Sequence, residues 1–326
     1  MLENVARVSL CHLPTPIEEL KRLSQALGGP RILVKRDDLT GLATGGNKAR
    51  KLEFLIADAL AQKATTVITA GAPQSNHARQ TAAAAARYGL QCVLVLGPLA
   101  PPALQGNLLL DNLLGARVRW TGDLDRYTVM EQVAAEESAA GRKPYIIPYG
   151  GSNAIGASAY ALAMEELKQQ ELQLGLHVEH IVLATSSGGT QAGMITGARL
   201  FNFKGRVLGI SVDKPADALR RIIVDLIQLT TAHLGQRFAL DPEEVLINDH
   251  YLGGGYGVLG EAEREAIRLV ARTEGLLLDP VYTGRAMAGL IDLIRKGEFS
   301  RQETILFWHT GGTPALFAYA DQLLGR

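Results

Sequence analysis

Residues 44–54 read TGGNKARKLEF. Lys48 and Lys51 are three apart where a helix is expected to begin, so both amines project to one side. Cations in a first turn oppose the helix dipole, each by a few tenths to ~1 kcal/mol. Stability alone would place acids there. The pattern suits an anion or an electrophile at this helix start: one amine can bond a carbonyl covalently while the other neutralises a phosphate. The plainer alternative is a basic surface turn capped by Asn47. A second stretch, TSSGGTQAG (185–193), runs from an apolar segment through hydroxyls and glycines into a helix. Glycines let N–H groups turn inward, and the helix start adds partial positive charge, which makes a phosphate cup. It can equally be a glycine-rich turn with Thr190 or a neighbour as helix cap. This stretch lacks the lysine of GxxxxGK[ST] and is not GxGxxG, so it carries neither nucleotide motif.

The elements that must position these residues alternate almost throughout. Strand-like runs at 31–36, 65–71, 92–97, 117–120, 144–148, 180–185, 206–213 and 304–312 are interleaved with helical patterns. The helical patterns fall at 48–62, 75–89, 104–115, 127–141, 157–170, 190–201, 216–234, 262–275 and 284–297, with a last helix after Pro314. This alternation predicts an α/β protein with two open, mainly parallel twisted sheets and helices on both faces. The expected division is a smaller unit over 48–155 and a larger one over 1–47 plus 156–326. Ligands of open α/β sheets bind beyond the carboxyl ends of strands. Four such loops are unusual: GAPQSNH (71–77), YGGSNAIG (149–156), TSSGGTQAG and HTGGTP (309–314). GGGYG (253–257) is a weaker signal, of interest for its tyrosine.

The composition bounds the function. Of 326 residues, 47% are hydrophobic and 20% charged, which fits a folded protein with a large core. Lys+Arg and Asp+Glu are equal at 33 each, which leaves no electrostatic footprint for nucleic acid or an acidic membrane. Cys11 and Cys92 form no CxxC and no zinc spacing. HVEH (177–180) enters a strand, where i and i+3 face opposite sides, so it is no metal site. With no signal peptide and no apolar run of ~20 residues, the expectation is a cytoplasmic protein.

A phosphate cup, a lysine in need of a carbonyl and two α/β units point to pyridoxal 5'-phosphate. TGGNKARKLEF, GAPQSNHARQTAA, TSSGGTQAGM, DPVYTGRAM and HTGGTPALF, in that order, resemble the D-cysteine desulfhydrase and 1-aminocyclopropane-1-carboxylate (ACC) deaminase family. These are fold-type II pyridoxal phosphate enzymes related to tryptophan synthase β, and the resemblance runs from LPTPIEEL (13–20) to the last helix. It implies that Lys48 bonds the cofactor aldehyde. It implies that Lys51, with Ser187, Gly188, Gly189 and Thr190, holds the phosphate, and that Asn76 donates to the phenolic oxygen. Ser75 would bind the substrate carboxylate or assist proton transfer, and Tyr282 and Tyr256 would line the reacting face. The resemblance also implies a homodimer. From local pattern alone, Ser75 and Asn76 are equally a helix cap region, and either tyrosine is equally packing.

Within the family, Thr283 and Thr310 stand where the deaminases have Glu and Leu. A hydroxyl near the pyridine nitrogen leaves it largely unprotonated, a modest electron sink that suffices for a good β leaving group. The expected activity is β-elimination from a small sulfur-containing amino acid, with Lys48 taking the Cα proton. The first reading is a D-cysteine desulfhydrase, releasing hydrogen sulfide, pyruvate and ammonia. An L-cysteate sulfo-lyase, then an ACC deaminase, are the enzyme alternatives, and an amino-acid sensor on the same fold is the non-enzyme one. A sulfonate substrate would want extra donors. Arg79 and His77 are candidates, each equally a bystander on its helix, and His309 carries no assignment.

Overall fold

The protein is described by a computed structural model covering residues 5–325. Its strands are β1 (Ile17–Glu19), β2 (Arg31–Arg36), β3 (Thr66–Gly71), β4 (Gln91–Leu96), β5 (Arg117–Trp120), β6 (Pro144–Ile146), β7 (His180–Thr185), β8 (Arg206–Ser211), β9 (Leu246–Asn248) and β10 (Thr304–His309). The helices are α1 (Lys21–Leu27), α2 (Asn47–Ala61), α3 (Asn76–Arg87), α4 (Gly106–Leu113), α5 (Arg126–Ala139), α6 (Ala154–Leu174), α7 (Gly189–Leu200), α8 (Ala216–His233), α9 (Glu261–Glu274), α10 (Thr283–Arg295), α11 (Ala315–Ala318) and α12 (Ala320–Leu324).

Two sheets form. One runs β1-β2-β10-β7-β8-β9 and the other β5-β4-β3-β6. Every pairing is parallel except β1 with β2, an antiparallel edge. Parallel strands are buried on both faces, which explains the near-continuous apolar runs in β3, β4 and β7. In the smaller sheet the chain leaves β3 toward β4 and β5, then returns to place β6 on the other side of β3. In the larger sheet it leaves β7 toward β8 and β9, then returns to place β10 on the other side of β7. Each sheet therefore has a topological switch point, between β3 and β6 and between β7 and β10. Loops after adjacent strands diverge there and leave a crevice. The four glycine-bearing loops singled out by sequence are the loops at these two points.

The core follows the elements. α3 presses its alanines onto the smaller sheet, with Ala78, Ala82, Ala84 and Ala85 wholly buried. Small side chains allow that close approach, and larger ones there would overpack by about 1–3 kcal/mol. Leu52, Leu55, Ile56 and Ala59 of α2 join the same cluster. Tyr160, Met164 and Leu167 of α6 pack with Trp308 against the larger sheet. No described helix is long and apolar enough to cross a membrane.

α2 is pinned to the larger sheet by charge. Arg50 donates Nε and Nη2 to the Asp37 carboxylate at 3.0 and 2.9 Å, and Nη1 to Glu166 Oε2 at 2.9 Å. Tyr160 OH and Trp308 Nε1 donate to Asp37 Oδ2 at 2.6 and 2.8 Å, and Lys35 Nζ reaches Glu166 Oε1 at 2.5 Å. Burial raises the Asp37 carboxyl, but Arg50, then Lys35 and Trp308, outweigh it and hold the group below its ordinary value. Glu166 is held down in the same way, by Arg50 and Lys35.

Several local expectations shift. Asn47 is not the cap of α2. Gly46, at φ 130°, holds that position, and Asn47 is the first helical residue, its Nδ2 donating to Thr190 Oγ1 at 3.1 Å. The cap of α7 is Gly188, at φ 82°, rather than Thr190. α6 begins earlier than its periodicity indicates because Asn153 accepts from Gly156 N at 2.9 Å. β1, β9 and α1 are short elements without a clear sequence period.

Candidate active site

A cleft lies between the two sheets. It is lined by residues from the loops after β3, β6, β7 and β10, together with Asn47 and Lys48 of α2 and Tyr282 at the start of α10. Lys48 is half-buried on the cleft wall. Burial lowers its amine to about 8, only partly opposed by a hydrogen bond with Lys51. Lys51, wholly buried, donates to Gly150 O at 3.1 Å and to Ser152 Oγ at 3.2 Å. Burial and the Lys48 charge push its pKa well down. Among the described residues, neither lysine has a carboxylate partner.

The turn after β7 faces these amines. Ser187 Oγ lies 2.8 Å from Ser152 Oγ, and Gly189 N donates to Ser152 Oγ at 3.3 Å. The amides of Thr190 and Gln191, in the first turn of α7, find no acceptor in the protein among the described residues. A Cβ built on Gly189 would stand 2.5 Å from Ser152 Oγ and 3.0 Å from Lys51 Nζ, so glycine keeps this cradle open. Unpaired amines, free helix-start amides and hydroxyls around one opening form the donor set that a phosphate dianion satisfies. The residues therefore fit pyridoxal phosphate. Ser152 belongs to this set: the sequence singled out its loop, YGGSNAIG, but gave this serine no role.

The other expected residues divide into those on the cleft and those behind it. Ser75, Asn76, Ser187, Gly188, Thr190, Tyr282 and Thr310 line the cleft beside Lys48. Ser75 also caps α3, its Oγ accepting from Ala78 N at 3.1 Å, which leaves the hydroxyl proton free to point elsewhere. Tyr256 stands one layer back. Its hydroxyl meets Tyr282 OH at 2.6 Å, and it lines an adjoining cleft that shares Tyr149 with the first. Thr283 is wholly buried and does not line the cleft. Its hydroxyl donates to Asp279 Oδ1 at 2.8 Å and accepts from Asp279 N at 2.7 Å, which closes the DPVYT turn.

His77 lines the cleft and is buried. Thr69 Oγ1 donates to Ile147 O at 2.8 Å, so its 2.9 Å contact with His77 requires the ring to donate from Nε2. Burial, then the charges of Lys48 and Lys51, push His77 well below its ordinary value and keep it neutral. Arg79 is buried behind the cleft and is no surface cation. His309 is structural: Nε2 donates to Leu277 O at 3.0 Å, and Nδ1 accepts from Gly311 N at 3.1 Å, which fixes the glycine turn. His177 is exposed and His180 pairs with Glu303. No metal-holding cluster occurs among the described residues.

Two parallel α/β sheets meeting over a lysine at a helix start, with an anion cradle opposite, define a fold-type II pyridoxal phosphate enzyme. The family model for pyridoxal-phosphate dependent enzymes matches residues 8–311, and the chain belongs to that family. A crystal structure described as that of an ACC deaminase homologue is similar over 99% of this chain and 97% of its own, at 41% identity and a TM-score of 0.92.

Proposed function

We propose that this enzyme is a β-eliminating lyase of small sulfur-containing amino acids, with D-cysteine and water as substrates and hydrogen sulfide, pyruvate and ammonia as products. One observation supports this reading over ring opening: among the described residues, no Asp or Glu lines the cleft. Thr310 faces it instead, and the nearby Asp279 carboxylate is turned into its own loop, accepting from Val281 N, Tyr282 N and Thr283 N at 3.0, 3.0 and 2.7 Å. Pyridoxal phosphate, when bound, supplies an aldehyde for the substrate amine and a ring that accepts the electron pair left at Cα. Without a carboxylate to hold a proton on the ring nitrogen, that sink is modest, which matches expulsion of a good leaving group.

The chain's own residues have distinct tasks in this reading. Lys48 Nζ takes the Cα proton. A pKa of about 8 gives it a useful free-base fraction near neutrality while leaving it basic enough to act. Lys51 and the 187–190 turn hold the phosphate. Ser75 Oγ donates to the substrate carboxylate. The Tyr282 hydroxyl, oriented by Tyr256, serves the reacting face. Residues 48–155 act as the smaller unit and 1–47 with 156–326 as the larger, a division that rests on the alternation of elements, and the enzyme works as a cytoplasmic homodimer, the dimer carried by the family resemblance. Sedimentation would check the assembly.

The deciding experiment assays D-cysteine, L-cysteate, β-chloro-D-alanine and ACC side by side on the holoenzyme. D-cysteine and β-chloro-D-alanine are expected to yield pyruvate most efficiently. A higher kcat/KM for ACC or L-cysteate would replace this substrate assignment.

A further inference from the structure

The residue expected to meet the cofactor's phenolic oxygen, Asn76, has an amide that could face the cleft with either end. The side chains behind it remove that freedom. Arg79 can only donate hydrogen bonds. Its Nη1 donates to Asn76 Oδ1 at 2.8 Å and also to Asn107 Oδ1, and its Nη2 donates to Gly45 O at 2.9 Å. Since Asn107 presents its oxygen to Arg79, its Nδ2 must face the other way. That nitrogen donates to Asn76 Oδ1 at 3.0 Å and to Gln74 O at 2.8 Å. Asn76 Oδ1 thus meets two donors, and flipping the amide would set NH₂ against both. Arg79 and Asn107 are wholly buried, and no carboxylate oxygen lies within ion-pair distance of Arg79 among the described residues. The Asp111 and Asp279 carboxylates act on Arg79 at longer range, while its hydrogen bonds go to neutral oxygens and so set direction.

We infer that Arg79 and Asn107 are positioning residues that lock Asn76 with Nδ2 toward the cleft, as a fixed hydrogen-bond donor to an anionic oxygen of the bound cofactor. The same arginine holds Gly45 O, at the entry to the helix that carries Lys48, so one side chain registers both loops. The inference rests on the placement of pyridoxal phosphate proposed above.

The test reads the pH titration of the holoenzyme's cofactor absorbance, together with cofactor affinity from fluorescence titration of the cofactor-free protein. A donor to an anionic oxygen lowers the pH at which that oxygen ionises. Asn76→Ala is expected to raise the spectral midpoint by about one pH unit, the scale of a lost hydrogen bond to a charged group. Asn107→Asp keeps the acceptor for Arg79 but replaces the donor to Asn76, and is expected to raise the midpoint in the same direction. Arg79→Lys, which keeps the charge but loses the fork, is expected to do likewise. The double variant Asn76→Ala/Asn107→Asp should shift no further than Asn76→Ala alone, a non-additivity that mere loosening of the fold would not produce. If Asn76→Ala shifts the midpoint while Asn107→Asp, confirmed folded by its melting curve, keeps the wild-type value, the positioning role is overturned. If Asn76→Ala itself leaves the midpoint and affinity unchanged, the cofactor placement falls with it.

Discussion

The hydroxyls of Tyr256 and Tyr282 lie 2.6 Å apart, their rings edge to face with centroids 5.9 Å apart. Of these two, Tyr282 lines the cleft that contains Lys48 and Tyr256 does not. Burial raises both phenols well above 10, so both stay protonated at neutral pH and one donates to the other. Tyr256→Phe removes the partner without opening a large cavity. Its expected effect is a fall of about tenfold or more in kcat with cofactor content unchanged, the scale of a misplaced acid–base group. Steady-state kinetics beside a cofactor absorbance measurement check this, and unchanged kcat would reduce Tyr256 to packing.

Lys48 should titrate far below an ordinary lysine. In the cofactor-free protein, its acylation rate, followed by peptide mass spectrometry, is expected to rise with a midpoint near pH 8, whereas exposed lysines rise near ~10.4. Because the folded pKa is depressed, the protonated amine destabilises the fold, and stability gains as pH climbs through the folded value toward the unfolded one. Lys48→Ala should abolish both turnover and covalent cofactor absorbance.

Gly189→Ala places a methyl group against Ser152 Oγ and close to Lys51 Nζ. Ser152→Ala removes the hydroxyl shared by Lys51, Ser187 and Gly189 N. Both should weaken cofactor binding, by about tenfold for each well-placed donor lost. Equilibrium dialysis of the cofactor provides the measurement, and undiminished affinity in both variants would move the phosphate elsewhere.

The Asp37–Arg50–Glu166 group, with Asp37 and Arg50 buried and Glu166 half-buried, sets an acid limit on the fold. Both carboxyls are held below their ordinary values, so their contribution is complete above about pH 4 to 5 and disappears as pH falls through the folded values. Asp37→Asn should lower stability by about 3 kcal/mol, since it leaves Arg50 underpaired in the interior. Urea unfolding at neutral pH and at pH 4 distinguishes this outcome from a surface effect: the gap between wild type and variant should narrow in acid.

Much of the cleft was legible because its loops carry chemistry in small residues. Glycines and hydroxyls after apolar runs marked all four loops at the switch points, and the 48/51 spacing marked the amines. Strand order was not legible, because which strands become neighbours depends on packing between residues far apart in sequence. Local pattern also failed where one residue has two uses. Asn47 has the type of a helix cap but donates to Thr190 instead, and Ser152 sits in a loop whose partners come from α2 and α7. Thr283 was legible as a member of the DPVYT motif, whereas its commitment to Asp279 shows only in three dimensions. Arg79 gave equal signals for solvent and interior, and burial decided between them.

The two unneutralised amines near the start of α2 also bear on the lifetime of the molecule. Set side by side without a carboxylate among the described residues, they gain compensation from an arriving phosphate, so vitamin-B6 supply acts as a folding ligand as well as a reagent. Thermal midpoints should climb with cofactor concentration. In a starved cell, molecules without their coenzyme would be the first to unfold and be degraded, which would match enzyme abundance to nutrient status without any dedicated regulator.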